Sequence, residues 1–272
     1  MMNPQQFEEG LAYAGKIFSG DGSHLWLDKH FLQKNFDLAH KDILDFGCGM
    51  GGLTLWLAAN TGANVDGVDL DPNHIGIAKE LQRRHNVSNV DFSVRNIIAQ
   101  PVDKQYDYII LSDVIEHLKP EWIPGILDTL IHRNLKNNGV IFISYPPWEG
   151  PHASHLRRVI NIPWVQYLPQ RWVHNMLKKR NQRLIGVNDL LTEYLELNHM
   201  THARLRRFLD AFRLKPVFRH SHTKFSSIPL LKKFNFNFFP FKFLVTKELV
   251  AFRKHVLSLC YFISDCHRFY FD

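Results

Sequence analysis

The sequence predicts an α/β protein in which a mostly parallel sheet is covered by helices on both faces, and three observations carry that reading. Five short apolar runs recur between residues 42 and 145, at 43–46, 65–68, 90–94, 108–111 and 140–144. Each is continuously apolar or nearly so, as expected of strands buried on both faces. Amphipathic segments lie between them, so that each strand returns to the sheet by a right-handed helical crossover. A glycine string, FGCGMGG at 46–52, closes the first run and opens a helical pattern near Leu53.

Taken in order, residues 1–40 are expected to form an N-terminal helical lid and residues 41–145 the core that binds a cofactor. Within the core, Asp71 is a natural N-cap and Pro72 a natural first helical residue for a helix over 72–84. Residues 120–136 place Trp122, Ile123, Ile126, Leu127, Leu130 and Ile131 on one stripe, predicting a long helix that ends near Gly139. After Pro146 the rhythm breaks. Residues 146–200 are rich in Pro, His, Trp and Arg, lack a strand pattern, and are expected to be an inserted segment that covers the substrate. The pattern resumes over 201–254, with a helical stripe at Leu205, Phe208, Leu209 and Phe212 and strands near 216–219 and 245–252 that complete the sheet. Residues 228–243 alternate aromatic and polar positions without specifying an element, and 255–272 form a tail.

Composition sets the class. The 272 residues are 45% hydrophobic and 22% charged, which excludes a disordered chain and supplies enough apolar surface for a core. No apolar run reaches the ~18 residues needed to cross a bilayer. The start, MMNPQQFEEG, is polar and acidic and lacks the apolar stretch of a signal peptide. Cys48, Cys260 and Cys266 are too few and too scattered for a disulfide framework or a four-cysteine zinc site. A reduced, cytoplasmic protein is therefore expected. The charge is lopsided: residues 1–150 hold 12 Lys and Arg against 19 Asp and Glu, whereas residues 151–272 hold 21 against 7. A basic second half suits phosphate, a nucleotide-linked sugar, an anionic membrane or nucleic acid, or is simply a solvated basic surface.

The glycine string carries the strongest chemical signal. Gly47, Gly49 and Gly51 permit a tight turn and close approach of a ligand to the backbone. Gly47, Gly49 and Gly52 also satisfy the dinucleotide-binding spacing. Asp45 separates the two readings, because its carboxylate would repel a diphosphate and attract a cationic ligand or an ammonium group. Asp69 ends the second strand, where a carboxylate can accept both hydroxyls of a ribose. That feature identifies a nucleoside without choosing the cofactor. Leu70 is then positioned to pack on the base, and Asp71 is left to cap the following helix.

Residues 42–145 resemble the class I S-adenosylmethionine-dependent methyltransferases, through Asp45, Gly47, Gly49, Gly51, Asp69 and the fourth strand with its sequel, YDYIILSDVIEHL at 106–118. The ending Glu116-His117-Leu118 is similar to the branch that includes ubiquinone and small-molecule O-methyltransferases. The resemblance implies a Rossmann-like seven-stranded sheet whose last strand is antiparallel. It also implies S-adenosyl-L-methionine as cofactor, held by Asp45, Phe46, Gly47, Gly49, Gly51, Asp69, Leu70, Asn96, Ile97 and Ser112. Asn96 stands where the family commonly has an Asp near the adenine amino group, a departure that keeps a hydrogen-bond acceptor.

If a hydroxyl is the acceptor, a base within hydrogen-bond reach adds ~10²–10⁴-fold in rate. Histidine is the natural candidate near neutral pH. Of sixteen histidines, His117 follows the fourth strand and His152 and His155 follow the fifth, all on the ligand-binding edge. The Asp113, Glu116, His117 spacing is similar to a triplet associated with a divalent metal in the ubiquinone branch, but the first carboxylate is one methylene shorter and no metal is expected. Pro146-Pro147-Trp148 imitates the base-gripping motif of amino-methylating nucleic-acid enzymes. Tyr145 lacks the acceptor that motif needs and the segment follows the wrong strand, so Trp148 is read as a pocket wall or as packing.

Residues 146–169 resemble methyltransferases encoded among bacterial surface-polysaccharide genes, which implies a sugar or nucleotide-linked sugar as acceptor, with Arg157, Arg158 and Arg171 suited to a diphosphate. The leading reading is thus a methyltransferase acting on a small or glycosyl hydroxyl. The alternatives are a non-catalytic relative acting as a sensor or partner subunit, a nicotinamide-dependent oxidoreductase, and a nucleic-acid methyltransferase. No nucleic-acid partner is expected. Lys224, Lys232, Lys233 and Lys242 among Phe225, Phe234, Phe236, Phe238, Phe239, Phe241 and Phe243 have the chemistry of a peripheral membrane contact. The reading preferred over it is that the same phenylalanines complete the core or a homodimer contact.

Overall fold

The computed structural model describes residues 2–20, 23–180, 190–227 and 240–254. Seven strands form one sheet in the order β3-β2-β1-β4-β5-β7-β6. They are β1 (Asp42–Phe46), β2 (Asn64–Asp69), β3 (Val90–Val94), β4 (Tyr106–Ser112), β5 (Leu135–Tyr145), β6 (Lys215–Thr223) and β7 (Val245–Arg253). The first five pair in parallel, while β7 runs antiparallel to both β5 and β6. The last strand in the chain is therefore the antiparallel one, inserted between β5 and β6.

The continuous apolar runs follow from burial on two sides. Leu44, Ile109, Leu111, Ile141 and Ile143 face one core, and Ile43, Ile110 and Phe142 face the other. Successive strand residues point to opposite faces, so a strand covered on both sides has no polar position to alternate with. The first core is closed by α5 (Ile123–Asp128) and α8 (His202–Asp210), the second by α2 (Trp26–Asn35) and α3 (Gly52–Thr61). A further cluster joins α1 (Pro4–Ser19), α3 and α4 (Pro72–His85) through Leu11, Ala14, Leu55, Ile77 and Leu81. The α4 helix starts as its sequence requires, with Asp71 accepting from the Asn73 N–H at 2.8 Å and Pro72 in the first turn.

The long helix expected over 120–136 does not form. The α-helix covers only Ile123–Asp128, the chain widens to π geometry over Thr129–Asn134, and β5 begins at Leu135. Two local causes are visible. Thr129 turns its hydroxyl back onto the Gly125 carbonyl at 2.9 Å, a bond that bends helices. Leu135 pairs with Tyr106 across the sheet, so strand pairing takes over the residues that the stripe assigned to helix. Trp122, expected on the buried stripe, is exposed, with the Lys119 ammonium 4.7 Å above its ring.

The segment 146–200 carries a small core of its own, built from Leu156, Val159, Ile160, Val165, Val173, Leu177, Leu190, Tyr194 and Leu197. It contains α6 (Gln170–Arg180) and α7 (Leu190–Glu196). Trp148 packs against this core, stacked 3.9 Å from His199, and its N–H donates to the Met200 carbonyl at 2.7 Å. Packing is therefore the contact that the structure gives Trp148. Of the basic aromatic region, residues 228–239 and 255–272 lie outside the described residues, as do the side chains of Lys224 and Arg158. Phe225 and Phe241 are exposed. Among the described residues no helix is long and apolar enough to cross a membrane.

The N-terminal helices are tied to the sheet by buried charge. Lys247 on β7 reaches Asp28 of α2 at 2.6 Å and Asp113 beyond β4 at 2.9 Å. Ser144 on β5 donates its hydroxyl to the same Asp28. Burial alone would lower the Lys247 ammonium pKa, but the two carboxylates outweigh it and raise it. Removing one partner of such a cluster strands the others without water. We expect Lys247→Met to cost about 3–5 kcal/mol of folding stability, read by urea denaturation, because it leaves two carboxylates facing each other.

Candidate functional site

The site lies at the carboxyl ends of β1, β2, β4 and β5, where an open α/β sheet presents a crevice. Its donor side is the turn after β1. The N–H groups of Gly47 and Cys48 both donate to the Val68 carbonyl, at 2.8 and 3.0 Å, pinning the turn to β2. Gly47, Gly49 and Gly51 have φ of 72°, 53° and 78°, in the left-handed region that favours glycine. A Cβ on Gly47 would come within 2.7 Å of Val114, and one on Gly51 within 2.7 Å of Ala78, so packing forbids them as well. At Gly49 a Cβ would meet nothing within 4 Å, which makes this the open side of the turn.

Asp69 sets the geometry of the crevice. Its Oδ2 accepts from the Gly49 N–H and its Oδ1 from the Asp71 N–H, each at 2.9 Å. Burial would raise its carboxyl, but His74, 3.4 Å away, and these two N–H groups hold it below the usual carboxylate range. His74 is raised in turn: burial would lower it, but the Asp69 hydrogen bond and the charges of Asp69 and Asp71 together outweigh burial. Oδ1 is shared between the Asp71 N–H and His74, whereas Oδ2 has the Gly49 N–H alone and keeps a second lone pair. Leu70, beside it, is a large apolar side chain left 58% exposed, as a base-stacking residue must be before its ligand arrives.

The other residues expected at the cofactor divide into two groups. Ser112 is half-buried at the end of β4, and its hydroxyl has no hydrogen-bond partner among the described residues. Phe46 and Ile97 are buried in the core below the crevice and support it from beneath. Asn96 is committed locally, its side-chain oxygen accepting from the N–H groups of Ile98 and Ala99 at 3.1 and 3.3 Å. Asp45 lies under the turn, not in it. It is 2% exposed and accepts the Thr54 hydroxyl at 2.6 Å. Burial, with help from the charges of Asp69 and Asp28, pushes its carboxyl up to about 7.

A second cluster is built where the segment 146–200 meets the loop after β4. Glu116 is 3% exposed, and neither carboxylate oxygen has a hydrogen-bond partner among the described residues. Burial and the nearby Asp113 push it up to about 8. His155 places Nε2 3.7 Å from Glu116 and Nδ1 3.2 Å from Glu193 on α7. The His117 ring meets the His155 ring edge-on, with centroids 4.9 Å apart. His117 is exposed, and partial desolvation with the charge of His155 pushes its ring down to about 4.

Glu116, His117 and His155 converge within 4.8 Å, a span short enough for a shared proton or a shared cation. The triplet read from spacing does not assemble, because Asp113 has a φ of 54° and turns to Lys247 instead. His152 sits half-buried one turn before His155 and accepts its N–H through the backbone carbonyl at 3.4 Å. Arg157 and Arg171 are exposed on the covering segment.

Two contributors were not read from the sequence. Glu193 gave no signal, because its meaning depends on a fold that brings residue 155 against α7. Asn198 locks the loop after β4, donating to the carbonyls of Ile115 and Leu118 at 2.6 and 2.7 Å, while its own N–H reaches the Glu116 carbonyl at 2.9 Å.

A sequence profile of the family described as "Methyltransferase domain" matches residues 24–215, well over half of the chain. The chain belongs to that family. Among curated relatives of this methyltransferase domain, a ubiquinone biosynthesis O-methyltransferase of Pseudomonas aeruginosa (strain UCBPP-PA14) is 29% identical over 151 residues, covering 55% of this chain and 62% of the relative. One from Dechloromonas aromatica is 31% identical over 143 residues, covering 52% and 59%. The matched region thus spans about 60% of the length of these relatives.

Among solved structures, a SAM-dependent methyltransferase from Methanosarcina mazei is similar with a TM-score of 0.54 at 17% identity, covering 83% of this chain and 97% of that one. Magnesium protoporphyrin IX methyltransferase from Synechocystis, solved with bound SAH, is similar with a TM-score of 0.51 at 16% identity, covering 93% and 89%. At those identities the likeness is one of fold. The residues of this crevice fit S-adenosylmethionine: an open face at Gly49, a spare lone pair on Asp69 Oδ2, an uncovered Leu70 and a Ser112 hydroxyl without a hydrogen-bond partner among the described residues.

The buried Asp45 gives a pH test. Its folded pKa of about 7 lies above the ordinary value of 3.8, so the folded state holds a proton that the unfolded chain releases, and its ionisation drains stability as pH rises between these values. Asp45→Asn keeps an acceptor for Thr54 and removes the titration. We expect the stability of the variant relative to wild type to rise by about 2–3 kcal/mol between pH 5 and pH 8 in urea denaturation.

Proposed function

We propose that the protein is an S-adenosylmethionine-dependent methyltransferase that methylates a hydroxyl of a small molecule, with His155 as the general base. The observation that carries this reading is the juxtaposition of the half-buried His155 and the buried Glu116, 3.7 Å apart, on the same sheet edge as the Asp69 crevice. When bound, the cofactor supplies a methyl group already activated on a sulfonium. The chain's task is to hold the acceptor oxygen in line, ~3–3.5 Å from the methyl carbon, and to take its proton. The oxygen's electron pair forms the new O–CH₃ bond, the C–S pair stays with sulfur, and the acceptor proton moves to Nε2 of His155. The positive charge left on the ring is stabilised by the carboxylates around it.

Oxygen as the acceptor atom is supported by the relatives, which are ubiquinone biosynthesis O-methyltransferases. A narrower reading, that the hydroxyl belongs to a sugar or nucleotide-linked sugar, is supported by the exposed Arg157 and Arg171 on the covering segment, whose guanidinium groups suit a diphosphate. A panel with labelled methyl donor, containing phenols, free sugars and nucleotide-linked sugars, separates these acceptor classes. Turnover of none of them would count against the enzyme reading.

Two outcomes test the site itself. Asp69→Asn, by removing the charge from the acceptor of the ribose hydroxyls, is expected to weaken binding of S-adenosylhomocysteine about 10–100-fold in calorimetry. His155→Gln is expected to leave that affinity unchanged and to lower kcat by ~10²–10⁴. His155 must be neutral to act. Burial lowers its pKa, but the Glu193 hydrogen bond and the charges of Glu116, Glu193 and Asp113 outweigh burial and raise it above 6.5. The wild-type rate should therefore climb with pH through a value above 6.5. Insensitivity of that rate to EDTA would remove a shared cation from the Glu116, His117, His155 cluster.

A further inference from the structure

The segment 146–200 does more than cover the crevice. Leu190, Tyr194 and Leu197 are buried in the segment's own core, and Glu193 stands on the same side of α7, one residue before Tyr194. A carboxylate turned inward on an amphipathic helix loses hydration and requires a partner. Glu193 has its partner in His155, whose Nδ1 lies 3.2 Å from Oε1, and its side chain is only 18% exposed. The other ring nitrogen points the opposite way, towards Glu116 and the loop after β4.

We propose that Glu193 is the positioning residue of the base: it accepts a hydrogen bond from Nδ1–H of His155 and so reserves the Nε2 lone pair for the acceptor hydroxyl. The proposal rests on the reading of His155 as the base and extends it to a residue 38 positions away. The physical argument concerns tautomers. A neutral imidazole carries one N–H and one lone pair, and the hydrogen bond made by one nitrogen decides the role of the other. A carboxylate can only accept, so Glu193 selects the Nδ1–H form. Nε2 is then bare and faces Glu116, whose two oxygens are otherwise unpartnered among the described residues. The same contact fixes the ring plane. His155 itself stands in a strained left-handed conformation at φ 58°, a turn that aims the ring at α7. Half of the base unit thus comes from the turn before residue 156, and half from a helix that begins 34 residues later.

The test uses the full-length protein labelled with ¹⁵N-histidine and held in EDTA, with the His155 ring signals assigned by their loss in His155→Asn. The wild-type ring is expected to show the Nδ1–H tautomer above its pKa. Glu193→Gln, whose amide can donate as well as accept, is expected to shift the ring towards the Nε2–H tautomer. It should also lower kcat about 10–100-fold, with the KM for S-adenosylmethionine and the affinity for S-adenosylhomocysteine unchanged. Glu193→Asp, which restores an accept-only partner, should recover the Nδ1–H signal and part of kcat. A wild-type ring already in the Nε2–H form, or a Glu193→Gln ring and rate identical to wild type, would overturn the proposal. A tautomer that moves as expected in a protein methylating no hydroxyl would uphold the Glu193 contact and defeat the enzymatic reading on which it rests.

Discussion

A lysine ammonium between two carboxylates, far from water, is the constraint around which the ligand-bearing edge is organised. Lys247 comes from β7, Asp28 from α2, Asp113 from the loop after β4, and the Ser144 hydroxyl that joins them from β5. Charges removed from water are tolerated only when geometry satisfies them, so these four elements are held to one arrangement. The left-handed turn at Asp113 follows from it, and that turn in turn delivers Glu116 and His117 to the crevice.

The donor and acceptor halves of the crevice are built by different means. The donor half is backbone work: Asp69 gathers the N–H groups of Gly49 and Asp71, Val68 gathers those of Gly47 and Cys48, and side chains serve mainly to be absent from the glycines. Such a site recognises the invariant part of a ligand. The Glu116, His117 and His155 cluster is made of ionisable side chains from separate elements, ranging from the buried Glu116 to the exposed His117, with Glu116 raised and His117 lowered by desolvation. Opposite shifts in adjacent groups leave neutral forms of both near pH 7, which suits proton exchange better than charge display.

This division explains what was legible in the sequence. The strands, the glycine turn, Asp69 and the Asp71 cap are local patterns, in which the residues that matter lie within a few positions of each other, and all stand close to where the sequence places them. The failures are non-local. The helix over 120–136 had a sound apolar stripe, yet pairing of Leu135 with Tyr106 claimed its final turn for the sheet. The Asp113, Glu116, His117 spacing suggested one cluster, and a lysine 134 residues away took its first member. A signal for that was present: Lys247 and Glu248 interrupt an apolar strand, and both are buried. Glu193 left no comparable trace, because a glutamate on a short helix reads as surface until the partner of its carboxylate is known.

The clamp formed by Asn198 has a consequence for how such a domain changes over generations. With three hydrogen bonds it returns the covering segment to the loop after β4, immediately before the sheet resumes. Entry at Pro146 and exit at Met200 are thereby both fastened, while the hydrophobic cluster between them is self-contained. A unit anchored at its two ends and packed within itself is a cassette. Lineages can rewrite its interior without disturbing the sheet edge to which it is fastened.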